Sequence, residues 1–169
     1  MAEPETDGRS ARQKAPLKRG QRATSRIPPV DPMVRPVFDS YPASARRRLL
    51  ALRQQIFQLA AAYPAIGNLT ETLKWGEPAY LTNASRSGST IRLAWKPKQP
   101  DQYSVFLHCQ TTLIEDCRTL FPELNCIGNR EIRMPSSAPP PAALRDCLLM
   151  ALTYHKPELR APRRTADPR

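Results

Sequence analysis

At 169 residues and 19.0 kDa the chain is the size of one domain, which excludes a multidomain machine. Its 26 Lys and Arg against 15 Asp and Glu give a net charge of +11 and an isoelectric point near 10.1, which favours polyanions as nonspecific partners without bearing on fold. Much of that charge belongs to the ends. Residues 1 to 36 carry eight basic and four acidic side chains and residues 156 to 169 five and two, so the middle is only mildly basic.

Many of the 19 prolines gather at the ends as well. Proline-rich, charged segments bury too little apolar surface to offset the entropy of ordering. Residues 1–35 and 158–169 are therefore expected to be disordered basic tails around one domain at 36–157. The opening Met1-Ala-Glu-Pro-Glu-Thr-Asp7 lacks the apolar run of a signal peptide and is too acidic for a transit peptide. No run nears the roughly 18 apolar residues of a membrane span. A soluble, cytoplasmic chain without a membrane partner is expected. Cys109, Cys117, Cys126 and Cys147 show neither CxxC nor zinc-like spacing, so reduced thiols are expected rather than disulfides. His108 and Cys109, read as strand neighbours, point to opposite faces and share no ion. Neither a metal site nor a cofactor is expected.

The folded elements start near Ser40. Pro42 suits a first helical turn, and Ala45, Leu49, Leu52, Ile56, Leu59 and Tyr63 recur at helical spacing until Pro64 and Gly67. Arg46, Arg47, Arg48 and Arg53 fall largely elsewhere and read as a solvated face. In Glu71-Thr-Leu-Lys-Trp-Gly-Glu-Pro-Ala-Tyr-Leu81 a rigid Trp-Gly-Glu-Pro corner separates two strand-like pieces. Ile91, Leu93 and Trp95 alternate with Arg92 and Lys96, and Tyr103, Val105 and Leu107 alternate with Ser104, Phe106 and His108, giving two antiparallel strands. Thr112-Leu-Ile-Glu115 reads as a capping box opening a short helix that stops at Pro122. Arg130 to Met134, entered through Gly128-Asn129, reads as a last strand. Leu144, Cys147, Leu148, Ala151, Leu152 and His155 mark a closing helix after Pro141. The order predicts an α+β, two-layer fold: a small antiparallel sheet covered by the N-terminal and C-terminal helices.

Catalytic motifs are missing: GxSxG, Walker and GxGxxG glycines and HExxH are all absent. With two histidines, general bases are scarce, and a noncatalytic protein is expected. The candidate ligand-binding residues are Trp75, Glu77 and Tyr80 at the corner, with His108, Asn129 and Arg130. Two aromatics with polar handles, a carboxylate and a guanidinium suit a small polar ligand. The competing and preferred reading makes the corner a packing device, with Trp75 and Tyr80 filling the core edge and Glu77 an exposed turn carboxylate.

Glu71-Thr-Leu-Lys-Trp-Gly-Glu-Pro-Ala-Tyr80 resembles the hallmark segment of the YdhG-like family, the domain of unknown function 1801, whose members carry E-x-x-K-W-G-x-P-x-Y after an N-terminal helix. The stretch Gln110 to Asp116, Leu120-Phe-Pro122, Gly128-Asn-Arg130 and Ala151 to Lys156 also resemble that family's later segments, so the likeness spans residues 37–156. The resemblance implies a compact α+β fold similar in outline to frataxin, and an intracellular iron-chaperone role for some members. Frataxin-type iron delivery needs a carboxylate-rich surface, whereas this domain is net positive, so no residue is assigned to iron. The function expected is that of a YdhG-like, noncatalytic domain binding a small molecule or protein partner. The alternatives are nonspecific nucleic-acid association through the basic tails, supported by Lys14, Lys18, Arg19, Arg22 and Arg26, and iron chaperoning.

Overall fold

The computed structural model describes residues 27–160. Its first helix, α1 (Arg35–Ser40), has proline in its opening turn, where a missing N–H leaves no bond unmade. The next, α2 (Ala43–Ala62), begins after Pro42 and buries Ala45, Leu49, Leu52, Ile56 and Leu59, the face that the spacing predicts. A 3-10 turn at Pro64–Ile66 follows, and Gly67, at a φ of 72°, takes the left-handed conformation that redirects the chain.

Strands β1 (Thr70–Lys74) and β2 (Glu77–Leu81) form a hairpin in which Lys74 faces Glu77, leaving Trp75-Gly76 as a two-residue turn. Both turn residues have positive φ, 57° and 73°, as a type I′ turn requires. After β3 (Ile91–Ala94), β4 (Gln102–Phe106), α3 (Leu113–Leu120), β5 (Cys126–Ile127) and β6 (Glu131–Pro135), the chain enters α4 (Ala143–Leu152) and a 3-10 turn at Pro157–Arg160. The sheet is antiparallel in the order β1-β2-β3-β4-β6-β5. The fold is α+β, as the order of elements predicts. One core holds Leu49, Leu52 and Ile56 of α2, Leu148 and Leu152 of α4, and Tyr80, Ile91, Leu93 and Val105 of the sheet.

The loop between β2 and β3 is stitched to the end of α4: Ser89 N–H donates to the Ala151 carbonyl (2.8 Å) and Ser87 Oγ to the Leu152 carbonyl (2.8 Å). Gly88 lies so close that a Cβ there would stand 2.4 Å from the same backbone.

The structure corrects several expectations. The folded region starts before residue 36 and extends past 157: Val34 is fully buried, Val30 packs on the core, and Arg160 Nε donates to Thr153 Oγ1 at 2.9 Å. The remainder of each expected tail, residues 1–26 and 161–169, lies outside the described residues. Cys117 of α3 and Cys147 of α4 form a disulfide, with Cα atoms 6.0 Å apart, a separation that the geometry of the bond allows. Their pairing depends on the packing of α3 against α4, which sequence spacing does not show. Cys109 and Cys126 remain thiols. The Thr112–Glu115 capping box does not form: Thr112 Oγ1 donates to Asp116 Oδ2, and Glu115 pairs with Arg118. Among the described residues, no helix is long and apolar enough to cross a membrane.

Candidate functional site

Alternation along the strands divides the sheet's side chains between two faces. Glu71, Tyr80, Ile91, Leu93 and Val105 turn toward the helices, while Glu77, Arg92, Ser104, Phe106, Glu131 and Arg133 occupy the other face, in register with one another.

On the helix face, Arg53 is buried instead of solvated. Its Nε and Nη2 donate to Glu71 at 2.6 and 2.9 Å, and Nη2 also reaches the carbonyls of Pro28 and Pro29. Burial disfavours the charged guanidinium, yet the Glu71 carboxylate outweighs that cost and raises its pKa. Tyr80 donates to Glu71 Oε1 at 3.1 Å, and burial together with that carboxylate pushes its phenol far above the ordinary range. Asp31 N–H completes the set on Glu71. Every lone pair of Glu71 is engaged, so this cluster ties the N-terminal segment, α2 and β1 together and offers nothing to a ligand.

The second face has a different character. Glu77, only 5% exposed, accepts Arg92 Nη1 at 2.6 Å and the Lys96 ammonium. Arg92 and Lys96 also lie over the Phe106 ring, 5.2 and 5.8 Å from its centroid, where the ring quadrupole attracts them. Charge on Glu77 also reaches Tyr41, whose phenol, raised first by burial, stands at about 12. Beyond this cluster Trp75 is 89% exposed. Its position in the two-residue turn projects it away from the core, which corrects the expectation that it packs at the core edge. Glu77 is likewise no exposed turn carboxylate, because its place at the start of β2 sets it beside Arg92 of β3.

Two adjoining cavities meet at Trp75, Arg92 and Arg130. One, of about 380 Å³, adds Lys74, His108 and Cys109, and the other, of about 320 Å³, adds Glu77, Lys96 and Phe106. Four cations and one carboxylate thus line a shallow, two-lobed cleft. Among the described residues, neither the Lys74 ammonium nor the Arg130 guanidinium enters a hydrogen bond or ion pair. His108 Nδ1 accepts the Gln110 N–H at 3.2 Å, which leaves Nε2 to carry the proton of the neutral ring. β4 ends at Phe106, so the strand alternation that separates His108 from Cys109 does not reach them, and both line one lobe.

Of the residues picked from sequence, Trp75, Glu77, His108 and Arg130 come together in this cleft. Tyr80 lies buried on the opposite face, and Asn129, exposed in the turn before β6, lines neither lobe. Sequence reasoning missed Lys74, Arg92, Lys96, Phe106 and Cys109. The outward positions of Arg92 and Phe106 in their strands carried a signal, since a directly opposed Arg and Phe on a polar face form a cation–π pair.

Another cavity, about 550 Å³ between α2 and the segment near Ile27, is lined chiefly by apolar groups such as Phe57, Ala60 and Leu69 and brings no set of polar side chains together. The residues present do not fit iron either. Glu71, Glu77 and Glu131 are each engaged by Arg or Lys, and among the described residues no three His, Cys, Asp or Glu side chains are placed to hold a metal ion. No protein-family model, curated protein or solved structure matches the chain.

Proposed function

We propose that the chain is a YdhG-like, noncatalytic binding domain, frataxin-like in outline, that captures an anionic partner in the cleft at Trp75. One observation carries this reading: a tryptophan 89% exposed, held at a φ of 57°, stands beside two cations that have no partner among the described residues. A bulky side chain in the left-handed region costs about 1–3 kcal/mol, and a locally unfavourable residue that packs against nothing points to a role in recognition. The noncatalytic part rests on the cleft's chemistry: His108 Nδ1 is engaged by backbone, and no hydrogen bond joins the imidazole to Cys109 as a nucleophile and base would require. The cytoplasmic setting belongs to the same proposal.

Inorganic pyrophosphate tests the site. It is expected to raise the melting temperature of the wild type by binding the native state, and to leave a Lys74→Ala/Arg130→Ala variant unshifted. Equal shifts in both proteins would overturn the reading.

A further inference from the structure

We infer that the partner taken by this cleft is single-stranded nucleic acid, its bases stacked on Trp75 and on the Arg92–Phe106 pair and its phosphates on Lys74, Arg130 and Lys96; this rests on the anion-binding reading above. Three features distinguish a strand from a small anion. The first is spacing. Lys74 ends β1, Arg92 lies in β3, Lys96 follows it, and Arg130 immediately precedes β6, so the cations are distributed across five adjacent strands. At about 4.8 Å per strand step their backbones spread over about 19 Å, while the side chains gather around two adjoining lobes, so that neighbouring phosphates could each meet cations.

The second feature is the presence of flat π surfaces among the cations. Trp75 offers an indole 89% exposed, and Arg92 lies over the Phe106 ring, 5.2 Å from its centroid. Bases stack on aromatic rings and on arginine planes, and this stacking tolerates any sequence because every base has a π face. The third is shape. The cleft is shallow and two-lobed on either side of Trp75, Arg92 and Arg130, which suits an extended chain laid over a sheet better than one enclosed molecule. A duplex hides the faces of its bases and gains only the phosphate contacts.

The test uses the full chain carrying Trp95→Phe, so that emission reports Trp75 alone. An oligothymidylate of about 12 nucleotides, within the usual site sizes for such surfaces, is titrated at about 0.3 M salt to suppress nonspecific attraction to the basic ends. Quenching of Trp75 is expected. With labelled oligonucleotide, Trp75→Ala is expected to weaken binding about tenfold and Trp75→Phe to restore most of it. Arg130→Ala, which leaves the turn backbone untouched, is expected to weaken binding and lower the salt slope by about one. Unchanged affinity in Trp75→Ala and Arg130→Ala, or equal binding of the matching duplex, would overturn the inference. Should the oligonucleotide leave Trp75 emission unchanged while pyrophosphate still shifts the wild type and not Lys74→Ala/Arg130→Ala, the strand is wrong and the anion site stands. Should both fail, the site itself is wrong.

Discussion

Arg53 and Glu71 stand 18 residues apart in the chain and 2.6 Å apart in space, with side chains 6% and 7% exposed. Removing one member of such a pair leaves the other charge buried and uncompensated, which costs more than the pair contributes. Arg53→Ala is expected to lower unfolding free energy by about 3–5 kcal/mol. Urea denaturation measures this, and a loss of under about 1 kcal/mol would contradict the burial assigned to the pair.

Trp75 leads to the opposite direction of effect. Asn tolerates the left-handed conformation, and Asn-Gly is the favoured type I′ pair, so Trp75→Asn is expected to stabilise the fold by about 1 kcal/mol. The same substitution is expected to abolish the pyrophosphate shift if the indole helps wall the cleft. Thermal melts with and without pyrophosphate read both effects. A large loss of stability would mean that Trp75 is packed after all.

Glu77→Gln keeps the shape and removes the charge that Arg92 and Lys96 share. Charge-assisted hydrogen bonds contribute about 1.5–3 kcal/mol, and the half-exposed Lys96 keeps the cost toward the lower end, about 2 kcal/mol by chemical denaturation. The reading of Glu77 as an exposed turn carboxylate predicts almost none.

Acid is expected to weaken the β4–β6 pairing through Glu131. Burial raises its pKa, but hydrogen bonds from Arg133 and Ser104 and nearby arginine charge outweigh this and hold it below the ordinary 4.5. A carboxyl with a depressed folded-state pKa contributes stability above its unfolded value and loses it as pH falls through the folded one. Urea unfolding from neutral pH downward is expected to show stability declining below about pH 4.5, with a shallower decline in Glu131→Gln. Parallel curves would remove Glu131 from the account.

What was legible in the sequence was what depends on neighbours along the chain. The core face of α2 follows from the spacing of Ala45, Leu49, Leu52, Ile56 and Leu59, and the two strand-like pieces around the Trp-Gly-Glu-Pro corner are β1 and β2, although Glu77 and Pro78 belong to β2 and the turn is Trp75-Gly76 alone. What escaped depends on partners distant in sequence. Arg53 resembles Arg46 and Arg47 until the carbonyls of Pro28 and Pro29 and the carboxylate of Glu71 are seen around it. Trp75 was misplaced because an aromatic beside a strand is usually core, whereas a two-residue turn leaves no length of chain to bring it back. The cleft was half visible. Trp75, Glu77, His108 and Arg130 could be chosen by chemistry, but Lys74, Arg92 and Phe106 join them only through the successive pairings β1-β2, β2-β3 and β3-β4 and the turn before β6.

The contact of Gly88 with the end of α4 limits which amino acids the loop can accept. Ala84 and Arg86 are exposed, so a library varying residues 83 to 89 should yield folded members with many side chains at 84, and at 86 chiefly those that tolerate its left-handed φ of 53°. At position 88 the obstruction is backbone, which cannot rotate aside as a side chain does, and even the smallest addition would pry the loop from the helix end and break the bonds of Ser87 and Ser89. Sequencing the survivors should therefore show glycine kept at 88 for a reason different from that at Ser87, whose buried hydroxyl is held by its bond to α4: a signature of steric exclusion that owes nothing to ligand binding.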